Sequence, residues 1–395
     1  MCLKYTSPGP SIKSMLDFTV LRHDLTRNLN RLQAQVFDEV CAATDEAFGS
    51  STDEWSDVCL NDAMLAIATR CANHVFVGPQ LCRDKIYQSV LRTYLSTLAI
   101  TIAAIYFSPE WIRPLLGPIF AAPANLIGWW LKRYVVSTSL ANQKPDTFTA
   151  LHWTLTAAAS KKQLSDQEVR LLAGKVIIFN LFALSTVASN MTNTLFDLLS
   201  HPKADCLIEE LRQESLDVFP RLVAEPIAIR DMVKADSVFR ETLRFNPLDN
   251  RTGAREVVQE GGLITPDGTY LPRGTRVTIA VGYAMRDPKF AGIDSPEHYD
   301  PFRFAKSQGP ASKRPGMTNV SDSFLSFGLG KHACPGRFFA GQEMKMLLGH
   351  LLINYEIETL KERPKDKPFA SVAVPDGKAT IRVRRRKVAA VEDSS

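Results

Sequence analysis

Residues 164–202 read LSDQEVRLLAGKVIIFNLFALSTVASNMTNTLFDLLSHP, and this run constrains the chain more than any other. Ser165 followed three residues later by Glu168 fits a capping box. No proline interrupts the run until His201-Pro202. The spacing predicts one helix of about 35 residues, roughly 50 Å long. It is apolar on several faces, so it belongs in the middle of a body built around it. Its centre, Phe182-Ala183-Leu184-Ser185-Thr186-Val187, mixes small and hydroxylated residues that let another body approach closely.

The flanking sequence agrees with a helical body. Leu25–Cys41, Leu60–Val75 and Lys85–Tyr106 place apolar residues three and four apart. Shorter helices are expected near Lys203–Phe219 and Ile229–Arg244. After Pro247 the texture changes. Turn signals at Pro266-Asp267-Gly268 and Pro272-Arg273-Gly274 surround β-rich pieces such as TRVTIAVGY. Residues 287–322 are proline-rich and irregular. A last helix spans Gly336–Asn354. VAVPDGKATIRVRRR reads as a hairpin turning at Asp376-Gly377, its basic run lying on a solvated strand edge. The fold class expected is mainly α with small β-sheets (α+β). No boundary separates two cores, so residues 1–395 form one domain, with 385–395 as a tail.

Several function classes drop out on composition. The net charge is +5, with basic residues scattered apart from the short C-terminal run. Nucleic acid is not an expected partner; an acidic protein surface or an anionic membrane is. The seven cysteines are odd in number and hold no CxxC pair. A disulfide scaffold or structural zinc site is not expected. The first twenty residues contain no apolar core of signal-peptide length. The strongest apolar region is 97–131. Its clean run, TLAITIAAIYF, is too short to span a bilayer, and the next segment carries three prolines and a Trp-Trp pair. Core helices joined by a loop come first among its readings, then a segment dipping into a membrane interface, and last a true span.

The chemistry concentrates in FLSFGLGKHACPGRFF, Phe324–Phe339. Cys334 stands among glycines and is followed by Pro335, suited to the first position of a helix. Its sulfur then meets the positive end of the helix dipole, which favours thiolate. Gly328, Gly330 and Gly336 allow tight turns and close approach of a flat ligand. His332 and Arg337 could pair with an anion. A thiolate on such a loop, beside a flat partner with anionic groups, describes an axial haem ligand.

The pattern Phe327-x-x-Gly330-x-His332-x-Cys334-x-Gly336 resembles the haem-binding loop of the cytochrome P450 superfamily. Glu241-x-x-Arg244 in FRETLRFNP and Arg303 in HYDPFRF resemble the family's Glu-Arg-Arg network, in the family's order. A carboxylate shared by two guanidiniums is a rigid, charge-assisted network. Its expected role is to hold the loop of Cys334.

The resemblance implies haem b bound through Cys334, with Phe327, Gly328 and Gly336 around it and Cys334 as iron ligand. His332 and Arg255, fourteen residues after Glu241, are the expected propionate partners. His23-x-x-x-Arg27 occupies the place of the early propionate-binding helix. Thr186 stands at the oxygen-activating threonine. The acid that often precedes it is Ser185 here, and the next residue is Val187. This leaves room for a relay through Ser185, or for isomerisation, dehydration or peroxide-driven chemistry. Phe182, Ala183 and residues near Asn250 are expected to line the substrate pocket.

The implied activity is monooxygenation. O2 and electrons from an NADPH-cytochrome P450 reductase would place one oxygen atom in a small apolar substrate. NADPH is thus used only through the partner. Docking is expected on the cysteine side, near Lys331, Arg337 and Lys345. The wording KHACPGRFFAGQEMKMLLGHLLINYEI resembles fungal secondary-metabolism members similar to ent-kaurene oxidases, which implies a terpenoid-type substrate. Family members usually carry more chain before the early helix, so the N-terminal anchor and first sheet region are expected to be missing. The implied place is the cytosolic face of the endoplasmic reticulum, or the cytoplasm, with 97–131 as a peripheral membrane contact. An inactive haem-binding remnant is the alternative.

Overall fold

The structure, a computed structural model, describes residues 5–6, 19–141, 148–160, 163–306, 315–369 and 371–387. A π-helical turn, Val20–Leu25, leads into α1 (Thr26–Phe48). Strand β1 (Ser56–Cys59) and α2 (Leu60–Phe76) follow. Next come α3 (Lys85–Phe107), α4 (Arg113–Ala141), α5 (Ala150–Ala159) and α6 (Asp166–Leu199). The second half holds α7 (Ala204–Val218), α8 (Val233–Phe245) and α9 (Arg337–Asn354).

Helix α6 is the expected long central helix, 34 residues from its capping box to Leu199. The Ser165 hydroxyl accepts from the Glu168 amide, and the Glu168 carboxylate accepts from the Ser165 amide at 3.0 Å. A buried polar node fixes its seat. Asn73 of α2 donates to the Asn180 side chain at 2.8 Å, and the Tyr87 hydroxyl of α3 donates to Asn73 at 2.7 Å. Three helices thereby share hydrogen bonds that would be costly to leave unmade in this apolar setting.

The prolines of 113–131 do not break the chain into a loop. Pro118 and Pro123 lie inside α4. Each costs about 3 kcal/mol in a helix interior. Ala121, Ala124, Leu131 and Val135 are buried, as are Tyr94, Leu98 and Ile105 of α3. Helices α3 and α4 pack side by side, and Gly128 admits the Tyr94 ring. Burial on one face outweighs the local penalty. The outer side stays apolar and exposed: Phe107, at the end of α3, is 71% and Trp111, in the turn before α4, 81% accessible. By length and composition α3 and α6 could each cross a bilayer, but α6 is the core helix of this body.

The strands form small antiparallel sheets. β2 (Thr252–Glu256) pairs with β5 (Arg276–Ile279), and β3 (Leu263–Ile264) with β4 (Tyr270–Leu271). β6 (Tyr355–Ile357), β7 (Lys367–Phe369), β8 (Val372–Val374) and β9 (Thr380–Arg385) complete the set. Here the expected hairpin is corrected. A turn does form at Asp376, whose carbonyl accepts from Ala379. The strands on either side of it part company: β8 pairs with β7, and β9 lies between β1 and β6. The basic run is therefore on a central strand, not an edge. Arg384 pairs with Glu356 at 2.5 Å and Arg385 with Asp45 at 3.1 Å. Of the expected tail, Arg385 and Arg386 are tied down by backbone bonds to Ser51 and Asn354. Residues 388–395 lie outside the described residues.

Candidate active site: a thiol on an apolar cavity

Cys334 sits between a short turn at Gly330–His332 and the start of α9. Its amide donates to the Phe327 carbonyl at 2.7 Å, which closes the loop. Gly328 has φ of 72°, and a Cβ there would stand 3.2 Å from the His332 carbonyl oxygen. A side chain at Gly328 would be strained and crowded. Pro335 is one residue ahead of the helix cap, Gly336, rather than at the first helical position.

The Glu241 network is formed. Arg244 donates from Nε and Nη2 to the two Glu241 oxygens, both at 2.8 Å. Arg303 Nε donates to Glu241 Oε1 at 3.1 Å, and the Asp300 amide adds a bond at 3.0 Å. Arg244 also donates to the carbonyls of Met285, Pro296 and His298. Beside it, the Ser326 hydroxyl donates to the Leu243 carbonyl at 2.9 Å. Ser326 therefore couples α8 to the residue that receives the Cys334 amide. Sequence reasoning did not single out Ser326; its contact partner is 83 residues away.

A cavity of about 450 Å³ opens over the thiol. Cys334, His332, Phe327, Gly328 and Gly336 line it from the loop, and Phe182, Ala183 and Thr186 from α6. The lining is mainly apolar. The Thr186 hydroxyl donates to the carbonyls of Phe182 at 2.7 Å and Ala183 at 3.1 Å. Its lone pairs remain for a group in the cavity.

Other expected residues are set elsewhere. Ser185 leans on the Leu181 carbonyl at 3.5 Å and does not line the cavity. Asn250 lines a different cleft, near Gly282 and Tyr283. Arg255 is exposed on β2, bonded to the adjacent Ala254 carbonyl. His23 and Arg27 are exposed, while Leu21 and Leu25 of the same segment line the cavity. Arg22, not singled out in the sequence, donates to the Lys331 carbonyl at 3.0 Å and so braces the cysteine loop. Arg337 is engaged by the carbonyls of Cys334 at 2.7 Å and Thr318 at 3.1 Å. Lys345 is buried and paired with Asp236 at 2.5 Å, so it offers no docking charge.

The thiol's acidity also differs from the expectation. The amides of Gly336 and Arg337 and the Arg337 charge do favour thiolate, but burial is the larger effect and pushes the Cys334 thiol up. A helix start alone therefore does not ionise this sulfur. A coordinating metal does, because its charge deprotonates the thiol it binds. The residues fit haem: a thiol facing the cavity, a glycine whose Cβ would be crowded, and His332 at the rim.

The comparisons agree with this geometry. The cytochrome P450 family model matches residues 14–383. Cytochrome P450 monooxygenase nodZ of Hypoxylon pulicicidum is 31% identical, covering 98% of this chain and 76% of that protein. Ent-kaurene oxidase P450-4 of Gibberella fujikuroi is 29% identical, covering 98% and 77%. The solved structure of retinoic acid-bound cyanobacterial CYP120A1 superposes with a TM-score of 0.69 at 19% identity, over 96% of this chain and 79% of that one, and shows the same fold. With a cysteine loop, a Glu-Arg-Arg network and a family match from 14 to 383, the chain belongs to the cytochrome P450 family and is a haem-thiolate monooxygenase of the fungal secondary-metabolism type.

Proposed function

We propose that the chain oxygenates a terpenoid-type apolar small molecule, taking electrons from an NADPH-dependent reductase. The observation that carries this reading is one apolar cavity faced by both Cys334 and Thr186. Haem, when bound, supplies the oxygen-activating redox chemistry. Cys334 would hold it as thiolate and His332 would face a propionate. Gly328 and Gly336 keep the loop low enough for a flat ring. Phe182 and Ala183, from α6, would shape the substrate's seat. Thr186 accepts a hydrogen bond at the cavity and passes protons on. Arg255, His23, Arg27 and Ser185 carry no part in this reading.

The terpenoid class rests on the ent-kaurene oxidases among the relatives and on the apolar lining. Exposed Lys331, beside Arg22, is the basic ground left for a reductase. The exposed face of α3, α4 and the turn between them, with Phe107, Trp111, Leu115 and Trp129, supports a peripheral contact with the endoplasmic-reticulum membrane. Trp111→Asp with Leu115→Asp should then reduce co-sedimentation with phosphatidylcholine vesicles.

Reduced protein with carbon monoxide should show the red-shifted Soret band of a thiolate ligand, and Cys334→Ala should abolish it. ent-Kaurene, reductase and NADPH should then give an oxygenated product. Absence of the band in wild type would leave a haem-binding remnant. A band with turnover of peroxides or isomers, and no use of O2, would point instead to a non-oxygenating isomerase or dehydratase.

A further inference from the structure

Glu39 of α1, His74 of α2 and Cys82 of the turn Pro79–Arg83 come together, and none of them lines the cavity over Cys334. One ligand atom from each lies within 4.8 Å of the others, and all three residues are buried. Among the described residues no other three side chains of metal-binding type gather so closely. Carboxylate, imidazole and thiol are together the donor set of a tetrahedral zinc-type site. Gln35, one turn before Glu39 on α1, orients the ring: its Oε1 lies 3.5 Å from His74 Nε2. A proton on Nε2 leaves the Nδ1 lone pair facing the cluster, as an outer partner does for a metal-bound histidine. Gln35 is exposed, so the site has a way in from solvent.

Two arginines hold Glu39, and they are not equivalent. Arg70 donates to Oε1 at 2.6 Å; its side chain is enclosed and tied also to Glu46. Arg83 takes Oε2, the oxygen 4.0 Å from His74 Nδ1, and its side chain is 57% exposed. Arg83 can turn out into water, while Arg70 stays. The Cys82 thiol donates to the Pro79 carbonyl at 3.3 Å, so it carries its proton here. Its sulfur stands 3.9 Å from His74 Nδ1. Zinc bonds of about 2.0–2.3 Å at tetrahedral angles set ligand atoms about 3.3–3.6 Å apart, so the three side chains need to close by about 1 Å or less. The charge also balances. A dication, a Cys82 thiolate, Glu39 and Arg70 carry together the same charge as Glu39 with both arginines and a neutral thiol.

We propose that Glu39, His74 and Cys82 bind a divalent cation of zinc type, which takes the place of the Arg83 guanidinium. The Cys82 S–H bond breaks as the sulfur–metal bond forms, and the proton goes to solvent. No electrons move. The ion braces α1, α2 and the turn into α3. His74 adjoins Asn73, whose bonds with Asn180 and Tyr87 seat α6, so the brace stands beside the support of the central helix. The three ligands are 35 and 8 residues apart, with no CxxC pair, so cysteine spacing carries no sign of the site.

The test uses the full-length haem-loaded protein carrying Cys206→Ser, which removes an exposed thiol. Equilibrium dialysis against Zn2+ should load one ion per chain. Zinc-edge X-ray absorption should then show one sulfur at about 2.3 Å and nitrogen or oxygen neighbours at about 2.0–2.2 Å. Cys82→Ser and His74→Ala should each weaken zinc binding at least roughly hundredfold, more than the usual loss of an outer partner. Arg83→Ala removes the competing cation and should tighten binding by roughly tenfold, the worth of a charge-assisted bond. A zinc edge with no sulfur neighbour overturns the site, as does binding unchanged in Cys82→Ser. Arg83 is largely solvent-facing, so Arg83→Ala decides the matter even where a buried variant does not fold: binding unchanged or weaker in it overturns the exchange with the guanidinium.

Discussion

Replacing Glu241 with Gln should cost about 3–5 kcal/mol, the usual result of stripping one partner from a buried charge network. Glu241 is fully buried and Arg244 is 2% exposed. The carboxylate accepts four bonds: two from Arg244 at 2.8 Å, one from Arg303 at 3.1 Å and one from the Asp300 amide at 3.0 Å. Gln removes the negative charge and turns one acceptor into a donor facing a guanidinium. Two cations are then left together in a dry site. Against a domain stability of about 5–15 kcal/mol, that is a large fraction. The urea midpoint should fall by about 1–2 M. A second readout locates the damage. Ser326 hangs from the Leu243 carbonyl, next to Arg244, and its neighbour Phe327 receives the Cys334 amide. Hydrogen exchange at the Cys334 amide should therefore accelerate well before global unfolding. Glu39→Gln is the control. That carboxylate is also buried between two arginines, Arg70 and Arg83, and its ion pairs stay within residues 39–83. It should cost stability and leave Cys334 protection relative to the global value unchanged. An unaltered midpoint for Glu241→Gln would refute the energetic reasoning. Equal effects of both variants at Cys334 would refute the anchoring role.

Thr186→Ala should raise hydrogen peroxide release per NADPH by at least roughly tenfold, with the carbon monoxide band intact; unchanged release would sink its role. Arg363→Met should cost about 3–5 kcal/mol at pH 8, because buried Asp197 loses the guanidinium 2.6 Å away. Burial already holds Asp197 up at about 6 despite that cation. Without Arg363 it rises further, so the carboxyl takes a proton and the deficit shrinks as pH falls toward 5. A deficit that grows on acidification, in parallel urea titrations at both pH values, would contradict this sign. Gly349→Ala would press a Cβ into the edge of the Phe219 ring and bring it to 2.9 Å from the Ser215 hydroxyl. The overpacking costs about 1–3 kcal/mol, less up to about 1 kcal/mol from better helix propensity. Thermal unfolding at or above the wild-type midpoint would show that α7 and its neighbours yield.

Much of the site was legible because its signals are short. The capping box at Ser165-Glu168 and the stop at His201-Pro202 bound α6 by contacts within three or four residues. The cysteine loop closes within eight residues, from Phe327 to Cys334. Glu241 and Arg244 meet across one helical turn, so their spacing already implied the contact. The prolines of α4 count against a helix only on local grounds. Proline's cost is local, while the burial of Ala121, Ala124, Leu131 and Val135 against α3 is not.

The sequence by itself determined the elements whose hydrogen bonds close within a turn or a loop: the length of α6, the frame of Cys334 and the Glu241-Arg244 step. Only the tertiary structure decided the pairings between distant segments. Asp376-Gly377 looked like a hairpin turn because turn chemistry is local. Yet β9 found better partners in β1, more than three hundred residues back, and in β6. The same distance hid Ser326 and Arg22 and set His23, Arg27 and Arg255 off the cavity. A strand edge or a side chain carries no address in its own sequence. Its partner is chosen by which buried surfaces the whole chain can close at once, and that sum is not local.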